Sequence, residues 1–403
     1  MIIQNSTFAE ILSAMLIIDK PYVSELLRET LLKNQFPVLK TPDAVALLPD
    51  EGINFIGVQE AIQKYKAGEI STIYTSSENS ISWIAKNLFF SELPEKVDVF
   101  KNKAKFRNVV SKLYPDFFFK EVDPDRIDDL EYNELPHPFI IKPNVGFFSL
   151  GVHKVTSGEN WEKVKIEIRN EAELIKNTYP KEVLDTAKFI IEENIEGEEY
   201  TVDAFYNETG EPIILGLMHH IFAGDEDTSD RLYTTSPKVI SENLDRFMDF
   251  LIKLGNLVGL KNFPLHLEVR VDDLGNIMPI EGNPLRYGGW CTSAELTHYA
   301  FGFNPYEYVM MGKTPDWDNI LKKHSGNSFS IIILNNNSGI DAGKIKDFDY
   351  EKLTTKFEKM LELRKVNARQ YHIFGFVYAE TRPDNFAELE YMLHSDLREF
   401  LVV

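Results

Sequence analysis

HLEVRVDDLGNIMPIEGNPLR, residues 266–286, decides the fold. Asp273-Leu274-Gly275-Asn276 is a turn signal between two runs of alternating apolar residues, so the segment reads as a β-hairpin. Folding it at that turn sets Glu268 opposite Glu281 and His266 opposite Asn283, and period-two alternation puts all four on one face. Leu267, Val269, Val271, Met278 and Ile280 fall on the other face as core. Facing glutamates would stand about 5 Å apart at Cβ and repel. Two carboxylates and an amide oxygen converging there are hard oxygen ligands suited to Mg²⁺. The plainer alternative is a hairpin whose polar face is only solvated, and unpaired facing glutamates argue against it.

The rest of the chain sets bounds. Its 403 residues imply two to four structural units. Apolar content of 43% and charged content of 26% are those of a soluble globular protein. A net charge of −20 argues against nucleic acid or an anionic membrane as a general partner. The single cysteine, Cys291, rules out an internal disulfide framework and points to a reducing, cytoplasmic setting. The N-terminal stretch lacks a basic region and is interrupted by Glu10, so it reads as a short helix rather than a signal peptide. No apolar run approaches the ~18 residues of a membrane span.

Residues 1–99 alternate short strands and helices, the pattern of an open, doubly wound α/β sheet. Strands are expected at residues 13–20, Val38-Leu39, Ala44–Leu48 and Ser71–Tyr74. Helices are expected at Tyr22–Lys33, Gln59–Lys66 and Ile81–Leu88. FKNKAKFRNVVSKL, residues 100–113, reads as one basic amphipathic helix. Strands at PFIIKP, Lys188–Glu193 and Tyr200–Tyr206 follow, with a long charged helix at Trp161–Asn177 and a mobile acidic loop at residues 223–237. A helix over Ser241–Val258 leads into the hairpin. The end of the chain reads as a small appended βαβα layer, with strands at Phe329–Leu334 and His372–Ala379 and helices at Glu351–Leu363 and Asn385–Leu393.

PFIIKPNVGFFSLGVHKV places Lys142 at a strand end, before a loop with Gly146, Ser149 and Gly151. Small residues let backbone N–H groups approach an anion, and Lys142 offers it a compact charge. Alone, this could equally be a glycine-bearing hairpin with a surface lysine. FIIEENIEGEEYTVDAF then runs a strand into Glu192-Glu193, passes Ile195 and Gly197, and starts a second strand at Glu199. Such an edge can pair with adenine through backbone groups, while Glu199 accepts from ribose hydroxyls; the competing account is a solvated acidic turn.

In order and spacing these three motifs resemble the ATP-grasp superfamily, which includes D-alanine–D-alanine ligase, biotin carboxylase and carbamoyl phosphate synthetase. The likeness covers about residues 100–310. The thirteen-residue step from Glu268 to Glu281, and two more to Asn283, matches the metal-ligand spacing of the D-alanine ligases. The resemblance implies an α/β chain (α+β in parts) with an N-terminal α/β domain at 1–99. A small subdomain carrying the phosphate lid would span 100–198, a large subdomain with the metal site 199–325, and an α+β segment 326–403. It implies ATP and Mg²⁺ as cofactors, two ions, with Mn²⁺ as the alternative. Lys103 and Lys142 take the places of the phosphate lysines, and residues 144–151 that of the lid. Glu192 faces the adenine amino group, with the backbone of Glu193 and Ile195 completing that edge, and Glu199 holds the ribose. Glu268, Glu281 and Asn283 hold the metal.

Departures are visible. The lid carries Phe147-Phe148 where many relatives have small residues. His266 stands where D-alanine ligases place an arginine that steadies the intermediate, although carbamoyl phosphate synthetase-like members share the His-x-Glu form. Pro284-Leu285-Arg286 has one residue more than the usual Pro-Arg, with Arg286 as the anion-binding arginine.

The implied activity is an ADP-forming carboxylate–amine ligase that works through an acylphosphate on small amino acids or carboxylic acids; a homodimer is the base-rate expectation. The alternatives are an ATP-binding module with little catalysis and a ligase using a thiol or bicarbonate acceptor. Cys291 reads as packing. His219-His220 reads first as structural. Arg231 is either a second carboxylate holder or an exposed arginine beside Asp225, Glu226, Asp227 and Asp230.

Overall fold

Thr41 and Pro42 show how local chemistry overrides a strand reading near the N-terminus. The Thr41 hydroxyl accepts from the Ala44 N–H and Pro42 presets the first turn, so Pro42–Leu47 is a helix where a strand at Ala44–Leu48 is expected. The computed structural model describes residues 14–145, 151–178, 188–224, 227, 229–324 and 326–402; the expected N-terminal helix lies outside them. β1 (Ala14–Ile17), β2 (Val38–Leu39), β3 (Phe55–Ile56) and β4 (Thr72–Thr75) form an all-parallel sheet in the order β3-β2-β1-β4. Every residue of β1 is buried, as a strand covered on both faces must be.

The expected single basic helix at 100–113 is two. Leu93–Lys101 ends at Asn102, whose side chain accepts from the Lys105 N–H and starts Lys103–Val110 in a new direction. A small antiparallel sheet follows, in the order β5-β8-β6-β7, from β5 (Phe119–Val122), β6 (Phe139–Pro143), β7 (His153–Val155) and β8 (Phe189–Glu193). Phe139, Ile141, Phe189 and Ile191 pack with Trp161 of the helix Gly158–Thr178. Alternation therefore turns Lys142 and Glu192 to the opposite face.

The large sheet has eight antiparallel strands in the order β13-β12-β9-β10-β11-β14-β17-β16. These are β9 (Glu198–Tyr206), β10 (Pro212–Ile221), β11 (Leu232–Thr235), β12 (Phe263–Val271), β13 (Ile277–Pro284), β14 (Ser328–Asn335), β16 (Met360–Lys365) and β17 (Ile373–Thr381), with β15 (Asp347–Phe348) and β18 (Leu401–Val402) forming a separate pair. β11 occupies part of the expected acidic loop. The helix after it starts at Pro237, not Ser241, because the Ser236 hydroxyl caps the Val239 N–H.

β14, β16 and β17 join this sheet, so the end of the chain does not form an appended layer. Where a helix is expected at Glu351–Leu363, the helix stops at Thr354 and Met360–Lys365 pairs with β17 instead. A sheet edge with unpaired backbone groups outweighs the helical propensity of Met-Leu-Glu-Leu-Arg-Lys. Among the described residues no helix is long and apolar enough to cross a membrane.

Gly197 joins the two sheets. It has φ of +110°, and a Cβ there would lie 2.2 Å from the Val271 carbonyl oxygen at the end of β12. The link therefore needs a residue without a side chain. Gly197→Ala is expected to lower stability by about 3 kcal/mol or more in urea unfolding. Gly275→Ala, at φ of +84° but in open space, should cost only about 1 kcal/mol.

Candidate nucleotide and metal site

β12 and β13 pair as the hairpin expects: His266 opposite Asn283 and Glu268 opposite Glu281. Immediately beyond Glu281 the register shifts, and Val269 pairs with Pro279, leaving Ile280 as an extra residue. This β-bulge corrects the expected core. Leu267, Val269 and Val271 are buried, but between the turn and the bulge on β13 the buried residues are Ile277 and Pro279, with Met278 and Ile280 half-buried. Gly282 lets the hairpin lie against the Leu93–Lys101 helix, since a Cβ there would sit 2.5 Å from the Phe100 ring.

The bulge frees backbone carbonyls, and Arg107 takes them. Its guanidinium donates to the Pro279 oxygen, to the Ile280 oxygen at 3.2 Å, and through Nε to Glu192 at 2.6 Å. Arg107 is only 1% exposed. Glu192 also binds the Lys142 ammonium at 2.5 Å. Burial alone would raise the Glu192 pKa, but Lys142 and Arg107 hold it at about 2. Burial pulls the Lys142 pKa down against the pull of Glu192, so this lysine is not the surface residue of the plainer reading. Arg107 was not singled out from sequence. The available signal was its helical i, i+4 spacing from Lys103, which puts both on one helix face.

Lys103 reaches Glu281 at 3.4 Å. Burial would push the Glu281 carboxyl up, yet Lys103, Lys142 and Lys101 bring it below its ordinary value. Glu268 goes the other way: burial raises it and the Glu281 charge raises it further, with His266 opposing. Two facing carboxylates split in this manner because like charges resist joint ionisation. A divalent cation would relieve that repulsion, and with the Asn283 amide oxygen the donor set is hard and oxygen-based. Among the described residues no three His, Cys, Asp or Glu side chains group as a metal site.

His266 Nδ1 lies 2.6 Å from Asp203, whose second carboxylate oxygen has no partner, and Nε2 lies 3.6 Å from Glu268. Burial disfavours the charged ring, but Asp203 and Glu268 outweigh it and raise the pKa to about 9.

Arg286 reaches its place through the extra residue. Leu285 adopts φ of +63°, its N–H donates to Pro264 and its carbonyl accepts from Thr75, at 2.7 and 2.6 Å. That turn swings Arg286 back onto the Asn283 amide oxygen at 2.8 Å and onto Glu78 at 2.5 Å. Glu78, also bound by Lys101 at 2.6 Å, would be raised by burial, but Arg286 and Lys101 hold it at about 2. Neither Glu78 nor Asp203 was singled out from sequence.

At the expected ribose end, Glu199 binds His220 at 2.8 Å and Arg270 at 3.1 Å, and Arg270 continues to the Ile195 carbonyl at 2.8 Å. The Glu193 N–H donates to Phe118, and burial raises its carboxyl pKa. Gly151 adopts φ of +80° just before β7; Gly146 and Ser149 lie outside the described residues. Arg231, one reading of which put it at the surface, is buried because it leads directly into β11 inside the large sheet.

The His266 pKa carries a pH dependence. A folded value of about 9 against an ordinary 6.5 stabilises the metal-free fold fully below pH 6.5, and the contribution fades as pH rises through about 9. Its total is on the order of 3 kcal/mol. Urea midpoints in EDTA should fall over this window in the wild type and stay flatter in His266→Asn.

The sequence profile of the ATP-grasp domain matches residues 135–294. No curated protein matches the sequence. Among solved structures, an L-amino acid ligase from Bacillus licheniformis superposes with a TM-score of 0.68 at 14% identity, covering 97% of this chain and 98% of its own. N5-carboxyaminoimidazole ribonucleotide synthetase from Thermotoga maritima gives 0.62 at 15% identity, with 96% and 98% covered. The biotin carboxylase domain of Hydrogenobacter thermophilus 2-oxoglutarate carboxylase, in complex with MgADP, ADP and bicarbonate, gives 0.57 at 12% identity, with 91% and 86% covered. At such identities the likeness speaks for the fold, and the family match identifies residues 135–294 as an ATP-grasp domain.

Proposed function

We propose that the protein is an ATP-dependent, ADP-forming carboxylate–amine ligase. One observation carries the reading: the Lys142–Glu192 pair of the small sheet is bound through Arg107 to the hairpin that presents Glu268, Glu281 and Asn283. In this reading a nucleotide base edge and a metal–phosphate edge are held at fixed separation. In this reading the adenine lies along Glu192, Glu193 and Ile195, with Glu199 toward the ribose. Lys103 and Lys142 neutralise phosphate charge, helped by the lid at residues 144–151. Glu268, Glu281 and Asn283 would hold Mg²⁺, which when bound screens the charge of the transferring phosphoryl group.

The substrate carboxylate attacks the γ-phosphorus and ADP leaves. The amine then adds to the acyl carbon of the acylphosphate, and phosphate departs as the amide forms. Arg286, with His266 in its charged form, would hold the anionic substrate and intermediate. Positioning and charge neutralisation suffice for such chemistry, so no nucleophilic side chain is required.

Phosphate release from MgATP is expected only when an acid and an amine are both present, measured across a panel of amino acids and small carboxylic acids. Glu281→Ala and Lys142→Ala should each reduce it by about 10²–10³-fold. Unchanged turnover in either variant would remove the site assignment. The second reading is a nucleotide-binding module with little catalysis, and tight MgATP binding without release across the panel would select it.

A further inference from the structure

Three arginines are buried among the described residues, and two have a carboxylate: Arg107 binds Glu192, and Arg364 binds Glu295. Arg231 has none. It is 1% exposed, its Nη2 reaches only the Asn335 carbonyl at 3.4 Å, and its Nε and Nη1 have no partner. The carboxylate that most affects it, Asp227, is engaged instead by the backbone N–H groups of Ala223 and Ser229 at 2.8 and 2.9 Å. A guanidinium does not escape burial by losing its proton, so its buried charge calls for an anion.

The position of Arg231 says which surface the anion occupies. Its carbonyl accepts from the Ile333 N–H, and it stands two residues before Tyr233. Alternation therefore places it on the sheet face of Tyr233, which stacks on His220 at 4.1 Å, and His220 holds Glu199. Glu268 lies on this same face through the β9–β12 pairing. β11 is three strands from β12 in the order β12-β9-β10-β11, a backbone separation of about 14 Å.

We propose that Arg231 is an oxyanion site for a substrate carboxylate other than the one that is phosphorylated. This rests on the ligase reading, in which the reacting carboxylate lies by Glu268, Glu281 and Arg286, too far away to be the group at Arg231. The unpartnered Nε and Nη1 each offer N–H donors to a carboxylate oxygen. The substrates then include one with a free carboxylate that survives into the product, either on the amine acceptor or as the second acid of the donor.

Two measurements test the site. The first needs no turnover: melting temperatures of the wild type and Arg231→Gln in sodium acetate, sodium phosphate and sodium chloride at equal ionic strength. Acetate should stabilise the wild type and not the variant, and in chloride the variant should melt no lower than the wild type, because an unmatched charge has been removed. A variant that melts lower in chloride, or stabilisation of the wild type by phosphate in place of acetate, overturns the proposal. The second uses an active acid–amine pair and compares each free acid with its carboxamide. Arg231→Gln should raise KM for the free-acid form of one substrate about tenfold or more, leave its carboxamide unchanged, and keep KM for MgATP within about twofold. Which substrate responds identifies the source of the carboxylate, and an equal effect on acid and amide overturns the proposal. Absence of turnover with every pair would sink the ligase reading alone and leave the acetate result to decide on Arg231.

Discussion

The buried guanidinium of Arg107 meets three demands at once. It supplies the second cation that keeps Glu192 ionised, it satisfies carbonyls that the bulge in β13 leaves without ladder partners, and it fixes the distance between two sheets. Each would be costly without the others. A lone buried carboxylate would take up a proton, and a bulge facing apolar side chains would strand its carbonyls. One planar group with several donors resolves both, which a lysine's point charge does not.

Around it, charge is arranged by sign. The chain carries −20 overall, yet Lys101, Lys103, Arg107, Lys142 and Arg286 converge where the two sheets and the N-terminal unit meet. Each is matched to a glutamate of the site, so cations and carboxylates alternate there. The two hairpin glutamates are the exception, since they face each other, and their opposite pKa displacements record the cost of that arrangement.

How much of this was legible follows from sequence distance. The hairpin, its pairing of His266 with Asn283 and Glu268 with Glu281, and the α/β alternation of the N-terminal unit could be read because partners lie close in the chain or repeat a local period, whereas β3 was not expected. His266 opposite Asn283 needs only a turn and alternation. Arg107 with Glu192, Asp203 with His266 and Glu78 with Arg286 are 85, 63 and 208 residues apart, and no local pattern announces such pairs. The bulge was hidden for a different reason: one inserted residue leaves composition unchanged while shifting every later side chain on the strand. The strand at Met360–Lys365 was missed because its own preference is helical and only the edge offered by β17 overrules it.

That last pairing makes the end of the chain inseparable from the rest. β14, β17 and β16 continue the sheet beyond β11, so a protein shortened before them would end its sheet at β11, with Leu232, Tyr233 and Thr234 bordering a row of open backbone donors and acceptors. Such a border invites another chain to add itself as the next strand. The final fifth of the sequence thus carries the open edge from β11 out to β16, and in doing so it completes the sheet on which the candidate site is laid out.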